Sequence, residues 1–581
     1  MSRKLRTAAG ACAVVLSCLL CIAVFYKFPA DLWVPLVYSG DALEWLATVK
    51  GALLGDVYTN QFAPFEIEKQ SSLIVSILSF IVMPLWLLLL HLYHLASGDL
   101  VFAVNAYFYT TYLLASLTMF WLLSYYRCSW PWAIAFSLVF AFLPTHQYRS
   151  VYHLLDTSYF LVPLYVLIIL WVMERDPLFF KKGKFSLKNK KALVAVLVLA
   201  WASPTSTYIS FFAAFFAVIA GAYATIIRRN FRYLISAGLV IVLLSISLSK
   251  TSWPLSIEKI RDPAFAEAIG KVKPGQPISR YGHAEEYGLK ITQLLLPVDE
   301  HRVKGLAELK SYYNKHNPLV NENSSAALGF TGSVGFLALV VILFVGKKKQ
   351  GLLRHLSLLT MAGVLFATVG GFSSIVSLFA NWAIPNSLLA DSRAFNRISV
   401  FIACMSLFAL AMIIDRRTRH LNVYARAMFA MSLTVISLLD MLPEKQNDHE
   451  LYAPYYEWDR AFFHQLEAKL PDRARVLQLP LQAHHRKPSY QDAYIPRLHT
   501  EDVVWSFAAD WSSEQMKWYQ ETVLIQGCEL NSHLLEYQFS GVLLDRSLAG
   551  NRQPALFEQL NCLHAILESE DRRFVYFSLL D

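Results

Sequence analysis

Charge is the first thing this sequence is short of. Asp, Glu, Lys and Arg together make 16% of its 581 residues, where soluble domains run near a quarter. The residues that remain are 55% hydrophobic and gather in runs approaching the roughly 20 residues that cross a hydrocarbon core. That excludes a soluble globular enzyme. The seven cysteines include no CxxC pair, which removes the usual zinc and redox frameworks. There is also no phosphate-cradling P-loop, no Gly-x-Ser-x-Gly elbow, no HExxH and no internal repeat. A net charge of +9 suits nucleic acid in principle. Here, however, the cations sit in short clusters between apolar runs, so no nucleic-acid partner is expected. The pattern predicts a polytopic α-helical membrane protein.

Arg3, Lys4 and Arg6 precede an apolar run to about residue 25 that has no well-placed small-x-small cleavage site. It reads as a retained anchor with its N-terminus in the cytoplasm. Further candidate spans fall at 72–95, 101–126, 131–145, 157–174, 192–203, 207–227, 233–249, 327–346, 355–372, 399–415 and 422–441. Four cationic clusters test them: Lys181 to Lys191, Arg228 to Arg232, Lys347 to Arg354, and Arg416 to Arg419. All four become cytoplasmic if one early crossing is removed. The best candidate is 72–95, interrupted by Pro84 and ending in His91 and His94, which reads as an amphipathic or re-entrant element. About eleven spans remain within 1–441, with outer loops at 28–100 and 250–326. Residues 442–581 are expected to form a small extracytoplasmic α/β domain. Its cues are short apolar strands at 476–479, 542–545 and 574–580 and an amphipathic helix over 459–470. If that side is oxidising, Cys528 and Cys562 could pair.

Ionisable residues at membrane depth are costly and mark function, and here they gather on the outer side. Asp41 follows Gly40 directly after the first span; it suits either a helix N-cap or a general base. The turn from Leu143 to Asp156 holds His146, Arg149 and His153. They are either headgroup contacts at an interfacial turn or donors to a phosphate. His146 and His153, seven positions apart with no carboxylate at helical spacing from both, make poor zinc geometry. Arg393 and Arg397 stand before another span on the side where arginine is disfavoured, which calls for an anionic partner, lipid or substrate. Lys290 and the pair His301-Arg302 lie in the long outer loop and could line a site, although most loop charges are simply solvated. His484-His485 reads as a surface pair.

An acidic residue soon after the first span, many spans and an external C-terminal domain resemble the GT-C glycosyltransferases. More narrowly, several short motifs look like a bacterial membrane family often labelled "sugar translocase". They are Gly40-Asp41-Ala42-Leu43, Ala63-Pro64-Phe65, Leu143-Pro144-Thr145-His146, Tyr287-Gly288-Leu289-Lys290 and Leu294-Leu295-Leu296-Pro297. His301-Arg302, Asn321-Glu322-Asn323, Arg397-Ile398-Ser399 and Asp459-Arg460-Ala461-Phe462-Phe463 continue the series almost to the end of the chain. Asp299-Glu300 stands where that family's pattern has a tighter, Gly-containing turn. The resemblance implies an inverting transferase on the outer face of a bacterial inner membrane. It would move a sugar from a polyprenyl-phosphate donor to a cell-surface glycan or glycolipid. Asp41 would be the base, and Arg149, Arg393 and Arg397, with His146, His153 or Lys290, would hold the donor phosphate. No particular cofactor is implied; a divalent metal is compatible with the scheme but not indicated. The rival is a flippase for lipid-linked saccharides. It predicts functional charges deep in the spans and a repeated span pattern, and neither is evident.

Overall fold

The computed structural model describes residues 3–25, 31–53, 83–149, 152–202, 206–249, 283–345, 351–383, 393–443, 449–480, 490–506, 527–549 and 562–579. It also describes residues 518, 521, 522, 524, 525, 558 and 560. The motif at 63–65, residues 280–282 and the pair at 484–485 lie outside the described residues, as does the 72–82 part of the proposed surface element.

Most of the described chain is helical. The helices used below are α1 (Arg3–Phe25), α2 (Asp41–Leu53), α3 (Leu85–Ser97), α4 (Leu100–Tyr125), α5 (Trp130–Ala141), α6 (Val162–Val172) and α7 (Thr207–Arg228). They continue with α8 (Arg232–Ser249), α9 (Gly329–Val345), α10 (Gly351–Ala367), α11 (Phe372–Ala383), α12 (Ser399–Arg417), α13 (Val423–Met441) and α14 (His449–Glu467). Among the described residues, six segments are long and apolar enough to cross a membrane: Thr7–Phe25, Leu100–Tyr125, Thr207–Arg228, Arg232–Ser249, Phe395–Arg417 and Val423–Met441. The other predicted crossings fall on shorter helices. The reasons are local. Pro144 follows the end of α5 and opens a separate short helix, Pro144–Arg149, because proline can start a helix but cannot continue one. The 192–203 segment divides into an eight-residue α-helix, Lys190–Leu197, and a π turn, Val198–Ala202. Helix α3 has 13 residues after Pro84, or roughly 20 Å at the α-helical rise.

Packing follows the sequence chemistry. In α12 all but a few residues are buried, among them Phe401, Cys404, Phe408 and Ala411, so helices surround it on every side. Gly335 of α9 lies against the Ser406 backbone of α12, where a Cβ would clash. Small residues at such contacts let apolar helices approach closely.

Residues 475–578 contain a five-stranded sheet: β3 (Arg475–Leu479), β4 (Val504–Trp505), β5 (Phe539–Asp545), β6 (His564–Glu568) and β7 (Phe574–Ser578), in the order β4-β3-β5-β7-β6. A two-residue hairpin, β1 (Phe180–Lys181) and β2 (Lys184–Phe185), lies elsewhere. Strand β3 is parallel to β4 and β5, and β7 is antiparallel to β5 and β6. Every residue of β5 is buried, as befits a strand covered on both faces. Val542, Leu544, Val575 and Phe577 serve one core. Leu543, Phe574 and Tyr576 alternate onto the other, where they meet Phe462 and Phe463 of α14. That second core also includes Tyr38, Leu43 and Val101, so the sheet is seated on the segment after α1, on α2 and on the start of α4. Cys528 and Cys562 form a disulfide.

Candidate active site

Gly40 adopts φ +55, a conformation that glycine tolerates at no steric cost. From that turn Asp41 opens α2. Its Oδ1 accepts a hydrogen bond from Gln491 Nε2 at 2.8 Å, and its Oδ2 lies 3.7 Å from His153 Nε2. The carboxylate side chain is still 41% exposed. It is therefore oriented from two sides and open on a third.

Three residues beyond His153, Asp156 meets Arg397, with Oδ2 2.9 Å from Nη1. Arg397 Nη2 lies 3.8 Å from Glu322 Oε2, and its guanidinium covers the Tyr208 ring at 4.6 Å. Ser206 Oγ donates to Asp156 Oδ1 at 3.1 Å. Asn396 Nδ2 donates to Glu322 Oε1 and to the Tyr287 carbonyl, both at 3.0 Å. A cation in this setting is fixed before any ligand arrives. Its Nε, buried, has no hydrogen-bond acceptor among the described residues, and a buried donor without a partner is costly. Arg393 stands nearby, over the Tyr287 ring at 5.5 Å.

Asp41, His153, Arg393 and Arg397 thus occupy one region. Of the other sequence candidates, His146 and Lys290 bond elsewhere. His146 is fully buried: Nε2 bonds Thr111 Oγ1 at 2.8 Å, and Nδ1 lies 2.7 Å from the Tyr159 hydroxyl and 3.0 Å from the Ala141 carbonyl. The ring stacks on Tyr112 at 3.7 Å. It is a packed core histidine with both nitrogens occupied, because Pro144 turns the chain inward above α5. Lys290 donates to the Pro318 carbonyl and lies over Tyr313; partial burial holds its pKa below the usual lysine value. Arg149 ends its short helix, and its side chain lies outside the described residues.

Other motifs prove to be scaffold. Asn321 Nδ2 donates to the Glu286 carbonyl at 2.6 Å, and Asn323 Nδ2 donates to the Gly288 carbonyl at 3.3 Å. Together they hold the Tyr287 segment that backs Arg393 and Asn396. Arg302 donates to the carbonyls of Leu442 and Pro443 at 3.0 and 3.2 Å, clasping the long loop to the end of α13. Where a glycine turn was expected, Glu300 itself takes the left-handed φ of +53.

Gln491 is the residue that sequence reasoning missed. It lies 450 positions from Asp41, in a stretch with no motif around it. Its short 3₁₀ turn, Tyr490–Tyr494, is anchored by its neighbour Asp492, whose Oδ2 is 3.1 Å from Arg573 Nη2. Arg573 in turn grips Asp545 at 2.9 Å. A second tie lies behind Asp41. The Tyr38 hydroxyl donates to Asp459 Oδ2 at 2.9 Å and lies 2.8 Å from His499 Nε2. Burial pushes Asp459 up to about 7 and His499 down to about 3. Among the described residues no group of three or more His, Cys, Asp and Glu side chains is placed to hold a metal ion.

No protein-family model matches the chain, and no curated protein matches it. Some solved structures are similar to it at low identity. It is similar over 99% of its length to ArnT from Cupriavidus metallidurans in the apo state, covering 98% of that chain at 11% identity and a TM-score of 0.43. With ArnT bound to undecaprenyl phosphate the values are 99%, 98%, 13% and 0.44. It is similar over 97% of its length to the archaeal oligosaccharyltransferase AglB from Archaeoglobus fulgidus in complex with an inhibitory peptide and a dolichol-phosphate. That match covers 74% of the AglB chain at 12% identity and a TM-score of 0.43.

Proposed function

We propose that this protein is an inverting glycosyltransferase that moves a sugar from a polyprenyl-phosphate donor to a cell-surface glycan or glycolipid. The observation that carries the reading is a half-exposed carboxylate, Asp41, hydrogen-bonded to Gln491 on one oxygen and with His153 3.7 Å from the other, in the same region as the pre-fixed guanidinium of Arg397. It is this arrangement, not the distant likeness to solved structures, that supports the reading.

The chemistry needs those two parts. An acceptor hydroxyl attacks C1 of the donor sugar from the side opposite the phosphate. Asp41 takes the hydroxyl proton as the new C–O bond forms. The bond from C1 to the phosphate oxygen breaks, and the electron pair leaves on the phosphate. Arg393 and the Arg397 guanidinium supply the positive charge that stabilises it; fixed cations cost no reorganisation at that moment. His153, beside Asp41, orients the carboxylate and can pass its proton outward. Gln491 holds the other oxygen. A phosphate is already a stable leaving group, so no general acid is required, and the scheme needs no metal.

The donor class accords with the setting. Outside the cell no nucleotide sugar is at hand, and a lipid carrier brings the sugar to the membrane surface. In our reading the chain crosses a bacterial inner membrane about eleven times with its N-terminus inside. The 1–441 part then carries the site, and residues 442–581 form an extracytoplasmic domain; the Cys528–Cys562 disulfide fits an oxidising side. Helix α11 fits a lipid surface. It buries Ser373, Ser377 and Ala380 and exposes Phe372, Ile375, Phe379 and Trp382.

The test is composition and linkage analysis of surface glycans by mass spectrometry in a deletion strain, with wild type restored, and with Asp41→Asn restored at matched membrane abundance. A substituent lost in the deletion should return with wild type and stay absent with Asp41→Asn. Full restoration by Asp41→Asn removes the base and moves the reading toward transport of a lipid-linked saccharide.

A further inference from the structure

The hairpin of β1 and β2 follows α6 in the chain and packs where α7 ends and α8 begins. Its turn is made by two left-handed residues, Lys182 at φ +50 and Gly183 at φ +78, the backbone that a two-residue hairpin favours. Pairing sets Phe180 opposite Phe185 and Lys181 opposite Lys184. Phe180 is buried, and the Arg232 guanidinium stands 6.0 Å from its ring. A Cβ on Gly183 would lie 2.8 Å from Arg232 Nη1, so the turn is seated against the first residue of α8. Arg228 Nη2 donates to the Met173 carbonyl at 3.3 Å, and the Tyr233 hydroxyl donates to the Arg175 carbonyl at 3.0 Å. The hairpin is thereby tied to the helix ends, and two of the four cationic clusters of the sequence meet on one face.

That face has almost no acid to balance it. No Asp or Glu occurs from residue 177 to residue 257. Of the acids just before, Glu174 is held by Lys191, and Asp176 is exposed beside the equally exposed Arg175. Lys181, Lys182, Lys184, Lys188, Arg229 and Arg232 are exposed, and none of them makes an ion pair among the described residues. Large apolar side chains stand among these cations: Phe185, Leu187 and Phe231 are 56%, 55% and 73% exposed. The adjoining helices α7 and α8 are long and apolar enough to cross a membrane. Ile226 and Ile227 in the last turn of α7, and Leu234 and Ile235 in the first turn of α8, are exposed as well. Apolar side chains exposed on spanning helices face hydrocarbon, so the cations beside them stand at headgroup level.

We infer that this face is a binding surface for anionic phospholipids, with the lysines and arginines on the headgroup phosphates and Phe185, Leu187 and Phe231 at the acyl boundary. Charge alone would suit any polyanion. The exposed apolar side chains decide for lipid, because a nucleic acid or an acidic protein segment would match the cations and leave those side chains in water, whereas a bilayer surface takes both. Each Lys or Arg close to an anionic surface strengthens binding about fivefold. Because the turn is seated on Arg232, lipid held by the hairpin also fixes how deep the ends of α7 and α8 sit. The inference depends neither on glycosyl transfer nor on which leaflet the face meets.

The experiment is native mass spectrometry of the full chain in neutral detergent. The probes are phosphatidylglycerol and phosphatidylcholine with the same acyl chains, glycerol 3-phosphate, and a single-stranded oligouridylate. Phosphatidylglycerol should bind about tenfold more tightly than phosphatidylcholine, and the preference should shrink as ionic strength rises from about 0.1 to 1 M and the screening length falls from about 10 to 3 Å. Lys182→Gln with Lys184→Gln should weaken phosphatidylglycerol about tenfold or more and leave phosphatidylcholine unchanged. Arg416→Gln with Arg417→Gln removes the same charge from the last turn of α12, a helix enclosed by others, and should leave the preference standing. Melting temperatures unchanged from wild type in phosphatidylcholine nanodiscs establish that both variants fold. Equal binding of the two lipids, or a preference that the hairpin variant leaves intact or that both variants lower alike, overturns the inference. Glycerol 3-phosphate binding as tightly as the lipid would make the face a free-phosphate site, and displacement of bound phosphatidylglycerol by equimolar oligouridylate would make it a nucleic-acid site; either result also overturns it.

Discussion

The tie between Tyr38, Asp459 and His499 makes a stability prediction with a defined sign. Asp459 is 2% exposed, and burial raises its pKa from 3.8 to about 7, against a smaller lowering by Arg573 and by the Tyr38 hydrogen bond. Below pH 3.8 the folded and unfolded chains both carry the Asp459 proton. Between 3.8 and about 7 only the folded chain does, so this contribution to stability is lost as pH rises through that window and is flat above it. A rise of that size is worth about 4 kcal/mol at most. His499, held down at about 3 from 6.5, acts in the opposite sense: it adds stability as pH rises from about 3 to 6.5. Subtraction removes it, because both proteins in the comparison keep His499. Asp459→Asn stays neutral at every pH and can still accept from Tyr38. Its melting temperature in nanodiscs, measured against wild type from pH 4.5 to 8, should climb relative to wild type by a few degrees. Parallel curves over that range would refute the claim that a buried, proton-holding Asp459 locks the first loop to the sheet.

Three further outcomes follow from the geometry. Gln491→Leu, which removes the donor to Asp41 Oδ1, should cut the Asp41-dependent surface glycan about tenfold at unchanged membrane abundance, whereas a purely structural role would lower abundance and product together. Arg397→Ala leaves Asp156 and Glu322 without their cation; a loss of about 3–5 kcal/mol should appear as a lower melting temperature and less folded protein on size-exclusion chromatography. The Cys528–Cys562 bond closes a loop with a sequence separation of 34, worth about 3–4 kcal/mol by loop-closure entropy; Cys528→Ser should therefore speed proteolysis of the C-terminal part while the membrane helices remain protected.

What sequence alone could decide was whatever depends on local pattern. Long apolar runs locate the helices of Leu100–Tyr125, Thr207–Arg228 and Val423–Met441, because the hydrocarbon thickness fixes how many residues a crossing needs. Alternation likewise locates strands at Val476 and Val542, since side chains change face at every residue. Gly40-Asp41 announces a turn followed by an acid at a helix start, and Asp41 is the first residue of α2. Partners across long separations carry no local signal. His146 looked like a phosphate ligand in the one-dimensional chain, yet three-dimensional packing gives both its nitrogens to Thr111, Tyr159 and Ala141. Arg397 called for an anionic partner, lipid or substrate, and in the fold Asp156 and Glu322 converge on it from two other segments. Gln491 reaches Asp41 only because an aromatic core of Tyr38, Phe462, Phe463 and Phe574 seats the sheet on the first loop. Composition and periodicity set the solvent each segment prefers and hence the elements. Which polar groups meet is set by how apolar faces pair, and that pairing exists only in the folded chain.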